Sequence, residues 1–174
     1  MFRKSKVLLM CLLISVVTSS ISEPVSSMVE FFSFTCSHCA NINNKVHEYI
    51  TRNNIQFSDI SINMSDQELP TTMMFYVADD AGLGWQFKQE YFAAIRNGMP
   101  AFNSSTLNYV VMQIKTPKLM SLLSDVSERQ RIKNKLIMAA GLINKYHIQG
   151  TPSFLINNST LLEGEDIINQ LSQR

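Results

Sequence analysis

This sequence is poor in cysteine, and that scarcity excludes one class of small exported protein. Only three cysteines occur in 174 residues, whereas a fold held together by disulfides carries several pairs at wide spacing. Basic charge is not in excess either, because 15 Lys and Arg residues stand against 14 Asp and Glu residues. Nothing in this balance predicts nucleic-acid binding. The sequence also shows no internal repeat and no low-complexity linker.

The one long apolar run lies at the start of the chain. A basic head within residues 1–6 is followed by an almost entirely apolar stretch over 7–17 and by small polar residues over 18–22. This pattern is typical of a signal peptide. The run is too short for a membrane span, which needs about 20 residues. We therefore predict a signal peptide over residues 1–22 and export of the rest, with an uncleaved anchor as the alternative.

Cleavage near Ser22 would change both the charge and the cysteine content. The mature chain would carry 12 basic and 14 acidic residues, and Cys11 would be lost. Cys36 and Cys39 would then be the only cysteines. A disulfide between residues so close in sequence closes almost no loop and contributes little to stability. Chemistry therefore explains this pair better than structural cross-linking does.

The two cysteines stand where a predicted strand gives way to a predicted helix. Residues 28–34 are apolar on both faces except at Glu30 and Ser33, which is typical of a buried strand in a mostly parallel sheet. Residues 37–52 predict a helix. A helix start offers unpaired N–H groups and the positive end of the macrodipole, and both favour a thiolate. We interpret Cys36 as the nucleophile, because it is nearer the solvent, and Cys39 as its partner one turn into the helix.

The remaining pattern predicts a sheet domain interrupted by helices. Apolar alternation over residues 55–62 predicts a second strand and completes a βαβ unit. Five helices without an intervening strand are predicted next, over residues 70–80, 85–97, 104–114, 117–123 and 127–146. Strand pattern returns at 153–156 and 159–162 around a turn at Asn157-Asn158, and a short helix follows. We predict an α/β fold in two parts.

In that α/β fold, the first part of the sheet domain covers residues 23–64 and the second part covers 147–174. The helical insertion covers residues 65–146.

Two short motifs carry a resemblance to a known family. EFFSF at 30–34 followed by CSHC at 36–39, and GTPSF at 150–154 before a hairpin and a terminal helix, resemble the DsbA family of periplasmic thiol–disulfide oxidoreductases. The resemblance implies a thioredoxin-like fold with an inserted all-helical domain. It also implies a dithiol oxidase that introduces disulfide bonds into exported polypeptides through Cys36 and Cys39.

The resemblance further implies what the protein works with. The clients would be unfolded secreted polypeptides with free thiols, met in the periplasm. A DsbB-like, quinone-coupled membrane oxidase would reoxidise the dithiol. No metal or organic cofactor, and no nucleic acid, would be needed.

Four further residues take roles by the same resemblance. His38 would stabilise the Cys36 thiolate, unless it is merely a solvent-exposed histidine. Glu30 would exchange a proton with Cys39, unless it faces water at a sheet edge or pairs with a lysine. The Thr151-Pro152 bond would be cis and face the dithiol, where the Thr151 backbone would bind an extended substrate. A trans turn proline is the alternative.

The sequence departs from the usual family pattern at two positions of the predicted site. Ser37 stands where proline is commonest, so an additional N–H and a hydroxyl lie near the dithiol. Thr151 replaces the valine of strong oxidases and is similar to the isomerase relatives. Three rival functions remain open at this stage: a reductase or isomerase on the same fold, a redox-inert polypeptide-binding module, and a zinc site using the CxxC pair.

Overall fold

The computed structural model describes residues 23–63 and 65–172. Its four-stranded sheet contains β1 (Ser27–Phe32), β2 (Gln56–Ser61), β3 (Ser153–Ile156) and β4 (Thr160–Glu163), in the order β2-β1-β3-β4. β1 pairs in parallel with β2, and the other two pairings are antiparallel. The expectation of a mostly parallel sheet is therefore wrong. β1 is nonetheless an interior strand, because it pairs on both sides, and this explains its nearly continuous apolar sequence.

The helices confirm the predicted layout. α1 (Ser37–Arg52) joins β1 to β2, and a short helix, α7 (Ile167–Ser172), follows β4. All helices between β2 and β3 come in one block, after a single 3₁₀ turn. The helices after α1 are α2 (Leu69–Asp80), α3 (Gly84–Arg96), α4 (Ser104–Gln113), α5 (Pro117–Ser124), α6 (Val126–Lys145) and α7 (Ile167–Ser172). The α/β fold with an inserted helical block is thus confirmed.

Side-chain caps explain where three of these helices begin. Asn103, Thr116 and Asp125 each accept a hydrogen bond from a backbone N–H of the first turn of α4, α5 and α6. Such caps satisfy N–H groups that have no partner within the helix. Pro117, the first residue of α5, adds a preset backbone angle.

An aromatic cluster joins the sheet to the helical block directly below the start of α1. Phe34 packs edge-on against Phe75 and Tyr91, with ring centroids 5.9 and 4.7 Å apart. Phe32 contacts the same cluster and is completely buried. These contacts pack the end of β1 between α2 and α3, and so they position the residues that follow it.

No helix in the described part of the chain is long and apolar enough to cross a membrane. The predicted signal peptide, with Cys11, lies outside the described residues.

Candidate active site at the start of the first helix

Cys36 caps the helix that carries both cysteines. After β1 the chain turns, with the Cys36 N–H donating to the Ser33 carbonyl at 3.1 Å. Cys36 itself has extended backbone angles, and its sulfur accepts a hydrogen bond from the Cys39 N–H at 3.2 Å. A cysteine thus occupies the position that serine or asparagine takes at most helix starts. Its sulfur is held where the helix offers its unpaired donors.

This position makes the Cys36 thiol acidic. Its pKa falls from the ordinary value of 9.0 to about 5, first because of the hydrogen bond between the two sulfurs. The Thr151 side chain and the backbone N–H groups of Cys39 and His38 lower the pKa further, while partial burial opposes them. In its thiol form Cys36 donates to the Thr151 carbonyl at 3.3 Å, a contact that favours the protonated state. The several donors outweigh this one acceptor.

Cys39 has the opposite character. It is completely buried, whereas Cys36 is partly exposed, and both are present as free thiols. The hydrogen bond with Cys36 and burial raise the pKa of Cys39 well above its ordinary value, and the nearby Glu30 charge adds to the increase. The pair therefore combines one accessible anionic sulfur with one enclosed neutral thiol.

The loop before β3 lies against the accessible sulfur. The Thr151-Pro152 peptide bond is cis, as the resemblance implies, and the Thr151 carbonyl lies within 3.3 Å of Cys36 Sγ. The Pro152 carbonyl accepts a hydrogen bond from the Gly164 N–H at 2.9 Å, which ties the loop to the end of β4. Two segments that lie far apart in sequence therefore meet at the dithiol.

The His38 ring points toward the C-terminal segment. Its Nδ1 lies 2.8 Å from Glu165 Oε2 on the protein surface. This contact raises the pKa of His38 and lowers that of Glu165, and the Cys36 charge raises the pKa of His38 further. A histidinium held here would add positive charge near Cys36. Ser37 is exposed in the first turn of α1.

Glu30 lies in a buried polar cluster beneath the dithiol. Its Oε2 accepts a hydrogen bond from Lys88 Nζ at 2.9 Å, and the same Nζ donates to Asp59 Oδ1 at 2.7 Å. Glu30 and Asp59 are directly paired in the β1–β2 register, so both carboxylates lie on one face of the sheet. The structure agrees with the alternative in which Glu30 pairs with a lysine, and it excludes the edge position facing water. We call Glu30, Lys88 and Asp59 the buried triad.

A cavity of about 300 Å³ opens beside Cys36. Its walls come from the start of α1 and from the end of α3, and they are mostly apolar, with Phe92 and Ile95 opposite the cysteine. The accessible sulfur therefore lies at the edge of a shallow, mostly apolar surface.

Sequence reasoning missed three residues of this site. Asp59, Lys88 and Glu165 were not predicted to take part. A signal existed for Lys88, because its spacing from Tyr91 and Phe92 places it on the apolar face of α3. Asp59 shares the strand face of Phe57, but nothing in the sequence pairs it with a particular cation. Within residues 23–63 and 65–172, no three His, Cys, Asp or Glu side chains are grouped as metal ligands.

The fold and the helix-capping dithiol opposite a cis-proline define a thioredoxin-fold protein with an inserted helical domain. The profile of the family described as thioredoxin matches residues 22–169. The chain therefore belongs to the thioredoxin family, and the predicted resemblance to its DsbA branch is confirmed.

Individual relatives agree with this placement. The chain is 22% identical over 145 residues to a thiol:disulfide interchange protein DsbA from Burkholderia cepacia, covering 77% of this chain but 66% of that protein. The crystal structure of the thiol-disulfide exchange protein α-DsbA2 from Wolbachia pipientis superposes with a TM-score of 0.64, at 15% identity and 88% coverage of both chains. DsbA from Xylella fastidiosa gives a TM-score of 0.66 at 20% identity, covering 84% and 80%.

Proposed function

We propose that this protein is a thiol–disulfide oxidoreductase that introduces disulfide bonds into exported polypeptides through Cys36 and Cys39. The observation that carries the proposal is the unequal pair of sulfurs. Cys36 is accessible and has a pKa of about 5, while Cys39 is buried with a raised pKa. The relatives with DsbA names support the same chemistry.

The acidity of Cys36 favours oxidation of the client over its reduction. Whatever stabilises the Cys36 thiolate stabilises the reduced form of the protein. The Cys36–Cys39 disulfide is then easier to reduce, which makes the oxidised protein a good oxidant. Dithiol oxidase is therefore the direction that we propose for this site.

The reaction balances within the two cysteines and the client. A client thiolate attacks Cys36 Sγ of the disulfide, the Cys36–Cys39 bond breaks, and Cys39 leaves with the electron pair and gains a proton. A second client thiolate then attacks the client sulfur of the mixed disulfide, and Cys36 leaves as a thiolate. The client loses two electrons and the protein gains them. Glu30 pairs with Lys88 through Oε2, but its Oε1 has no hydrogen-bond partner among the described residues, and we propose that this oxygen exchanges the Cys39 proton.

The cis-proline loop is proposed as the client-binding edge. The backbone of Thr151 is placed beside Cys36, where an extended polypeptide can add strand-like hydrogen bonds. His38 and Ser37 would contribute to the charge and the hydrogen bonding around the thiolate. After removal of its residues 1–22, the protein would meet its clients, unfolded polypeptides, in the periplasm. A DsbB-like membrane oxidase would restore the disulfide.

The test starts from the oxidised protein and a reduced client peptide with two thiols. We expect rapid oxidation of the peptide and complete loss of activity in Cys36→Ser. The Cys39→Ser variant should instead accumulate a mixed disulfide that is visible on non-reducing gels. Activity retained by Cys36→Ser would refute the proposal.

An equilibrium with glutathione then separates the same-fold rivals. An oxidase should have a reduction potential near DsbA's roughly −120 mV, whereas a reductase should lie near thioredoxin's roughly −270 mV. Client binding that is unchanged after both thiols are blocked would favour a redox-inert binding module. Stoichiometric zinc in the purified protein would favour the metal site.

A further inference from the structure

The three side chains of the buried triad differ in their exposure to solvent. The side chains of Glu30 and Lys88 are 1% and 2% exposed, whereas that of Asp59 is 9% exposed. Asp59 also lines two surface cavities, of about 220 and 390 Å³. Of these three side chains, Asp59 is thus the one best placed to exchange protons with water.

The atoms of the triad form a continuous path. Glu30 Oε1 has no hydrogen-bond partner among the described residues, although it is buried. Glu30 Oε2, Lys88 Nζ and Asp59 Oδ1 follow one another at 2.9 and 2.7 Å. Lys88 is held in place by the Phe32 ring, whose centroid lies 4.2 Å from Nζ. Glu30 Oε1 therefore remains free to take a proton, and Glu30 Oε2 is connected through Lys88 to Asp59.

We propose that Asp59 is the residue that exchanges protons with water at the end of a relay, and that this relay serves Cys39 through Lys88 and Glu30. The inference rests on the proposed function, because only thiol–disulfide exchange makes Cys39 gain and lose a proton. When Cys39 loses its proton, the S–H bond breaks and Glu30 takes the proton. Lys88 then passes one proton to Asp59 and receives the one on Glu30, so its charge is restored. Asp59 finally releases a proton to water.

The charges around Asp59 are compatible with this role. Burial raises the pKa of Asp59 to about 7, Lys88 opposes the increase, and the Glu30 charge adds to it. The titratable groups that border Asp59 or line the same cavities are Glu30, Lys88, Tyr76, Asp79, Lys135 and His47.

The experiment separates two phases of reoxidation by glutathione disulfide. In the first, Cys36 forms a mixed disulfide with glutathione, and no proton leaves Cys39. In the second, Cys39 loses its proton and attacks Cys36 Sγ, and glutathione departs. Acid quenching followed by mass spectrometry measures both phases on the full protein between pH 5 and 8.

We expect Asp59→Asn to slow the second phase about tenfold at pH 7. This is less than the roughly 10²- to 10⁴-fold effect of a group that touches the reacting atom. The first phase should be unchanged. Asp59→Glu keeps a carboxyl group and should restore most of the rate. Asp79→Asn is the matched control, because Asp79 lines the same two cavities but bonds Lys135 instead of Lys88. Its rates should equal those of the unaltered protein.

Chemical rescue distinguishes a relay from a structural effect. The Asp59→Ala variant leaves space beside the two cavities, so added imidazole should recover the second phase and reshape its pH profile. A slow Asp59→Asn phase without recovery in Asp59→Ala would overturn the relay. The relay would also be overturned if the second phase were unchanged in Asp59→Asn but slow in Glu30→Gln, although Glu30 would then keep its proposed role. If Glu30→Gln left the rate of the second phase unchanged, both the relay and the proton-exchange role of Glu30 would be refuted. If the first phase did not occur at all, the proposed function itself would be refuted.

Discussion

The surroundings of Cys36 and Cys39 differ more than their closeness in sequence suggests. Cys36 caps a helix at the surface and accepts a hydrogen bond from the Cys39 N–H in the turn that follows it. Cys39 lies one turn further in, fully buried above the negatively charged Glu30. Donors and partial solvent access stabilise one anion, while burial and a carboxylate destabilise the other. The comparison teaches that the two pKa values are set by position along one helical turn.

A second contrast lies between the two polar groupings near the dithiol. The His38–Glu165 pair is at the surface, where water weakens its interaction. The buried triad lies between β1, β2 and α3, where removal of one partner would leave a charge without compensation. Similar distances in the two groupings therefore predict very different effects of mutation.

The largest expected effect concerns the reactivity of the two sulfurs. At pH 7 the reduced folded protein should be alkylated at Cys36 at least about 100-fold faster than at Cys39, because a thiol with a pKa above 9 is less than about 1% ionised. The Cys36 rate should fall about tenfold per pH unit below pH 5 and level off above pH 6. Mass spectrometry of the alkylated peptides measures both rates. Equal rates would abolish the contrast between the sulfurs.

The same pKa shift determines how the stability of the reduced protein depends on pH. The folded-state pKa of Cys36 is depressed, from 9.0 to about 5. The stability that the Cys36 thiolate contributes to the reduced protein is therefore complete above pH 9 and is lost as the pH falls through 5. The stability of the reduced form relative to the oxidised form should therefore rise as the pH increases from 5 to 9.

The next effect should distinguish the buried triad from a surface network. Lys88→Met leaves two carboxylates buried without their cation and should cost about 3–5 kcal/mol of unfolding free energy. Lys135→Met is the control, since Lys135 bonds Asp79 and Asp80 from a partly exposed position, and it should cost at most about 1 kcal/mol. Urea unfolding at pH 7 provides both values. Equal losses in the two variants would contradict the assignment of the triad as a buried ionic cluster.

The smallest effect should come from the surface pair. Glu165→Gln removes the carboxylate that raises the pKa of His38, so this pKa should fall toward its ordinary value of 6.5. A raised folded-state pKa contributes stability below pH 6.5, and the contribution disappears as the pH rises through the folded value. NMR titration of the His38 ring measures the change. The Cys36 pKa should rise only slightly, and a large rise would mean that His38 dominates the thiolate.

Sequence reasoning succeeded where the physical cause is local. The strand before Cys36, the helix after it and the five helices of the insertion follow from apolar periodicity and from caps, all within a few residues of each other. Cys36 and Cys39 were recognised because a helix start acts on its own first turn. The cis bond and the loop opposite the dithiol followed from the resemblance rather than from the local pattern.

Reasoning of the same kind could not identify the partners of the site. Asp59 and Glu30 face each other only because β1 and β2 pair in one register, and the lysine between them comes from α3 in the helical block. Glu165 reaches His38 because β3 and β4 return the chain to the start of α1. Each of these contacts joins segments that are far apart in the chain, and no local rule specifies them.

The sequence by itself determined the order of strands and helices and the presence of a dithiol at a helix start, because periodicity and helix-end electrostatics act over a few residues. Only the tertiary structure decided which charges surround the dithiol, because strand register and the docking of α3 place Lys88 and Asp59 there. The reactive sulfur is thus a local property of the chain. The buried charge cluster beneath it is a property of the fold.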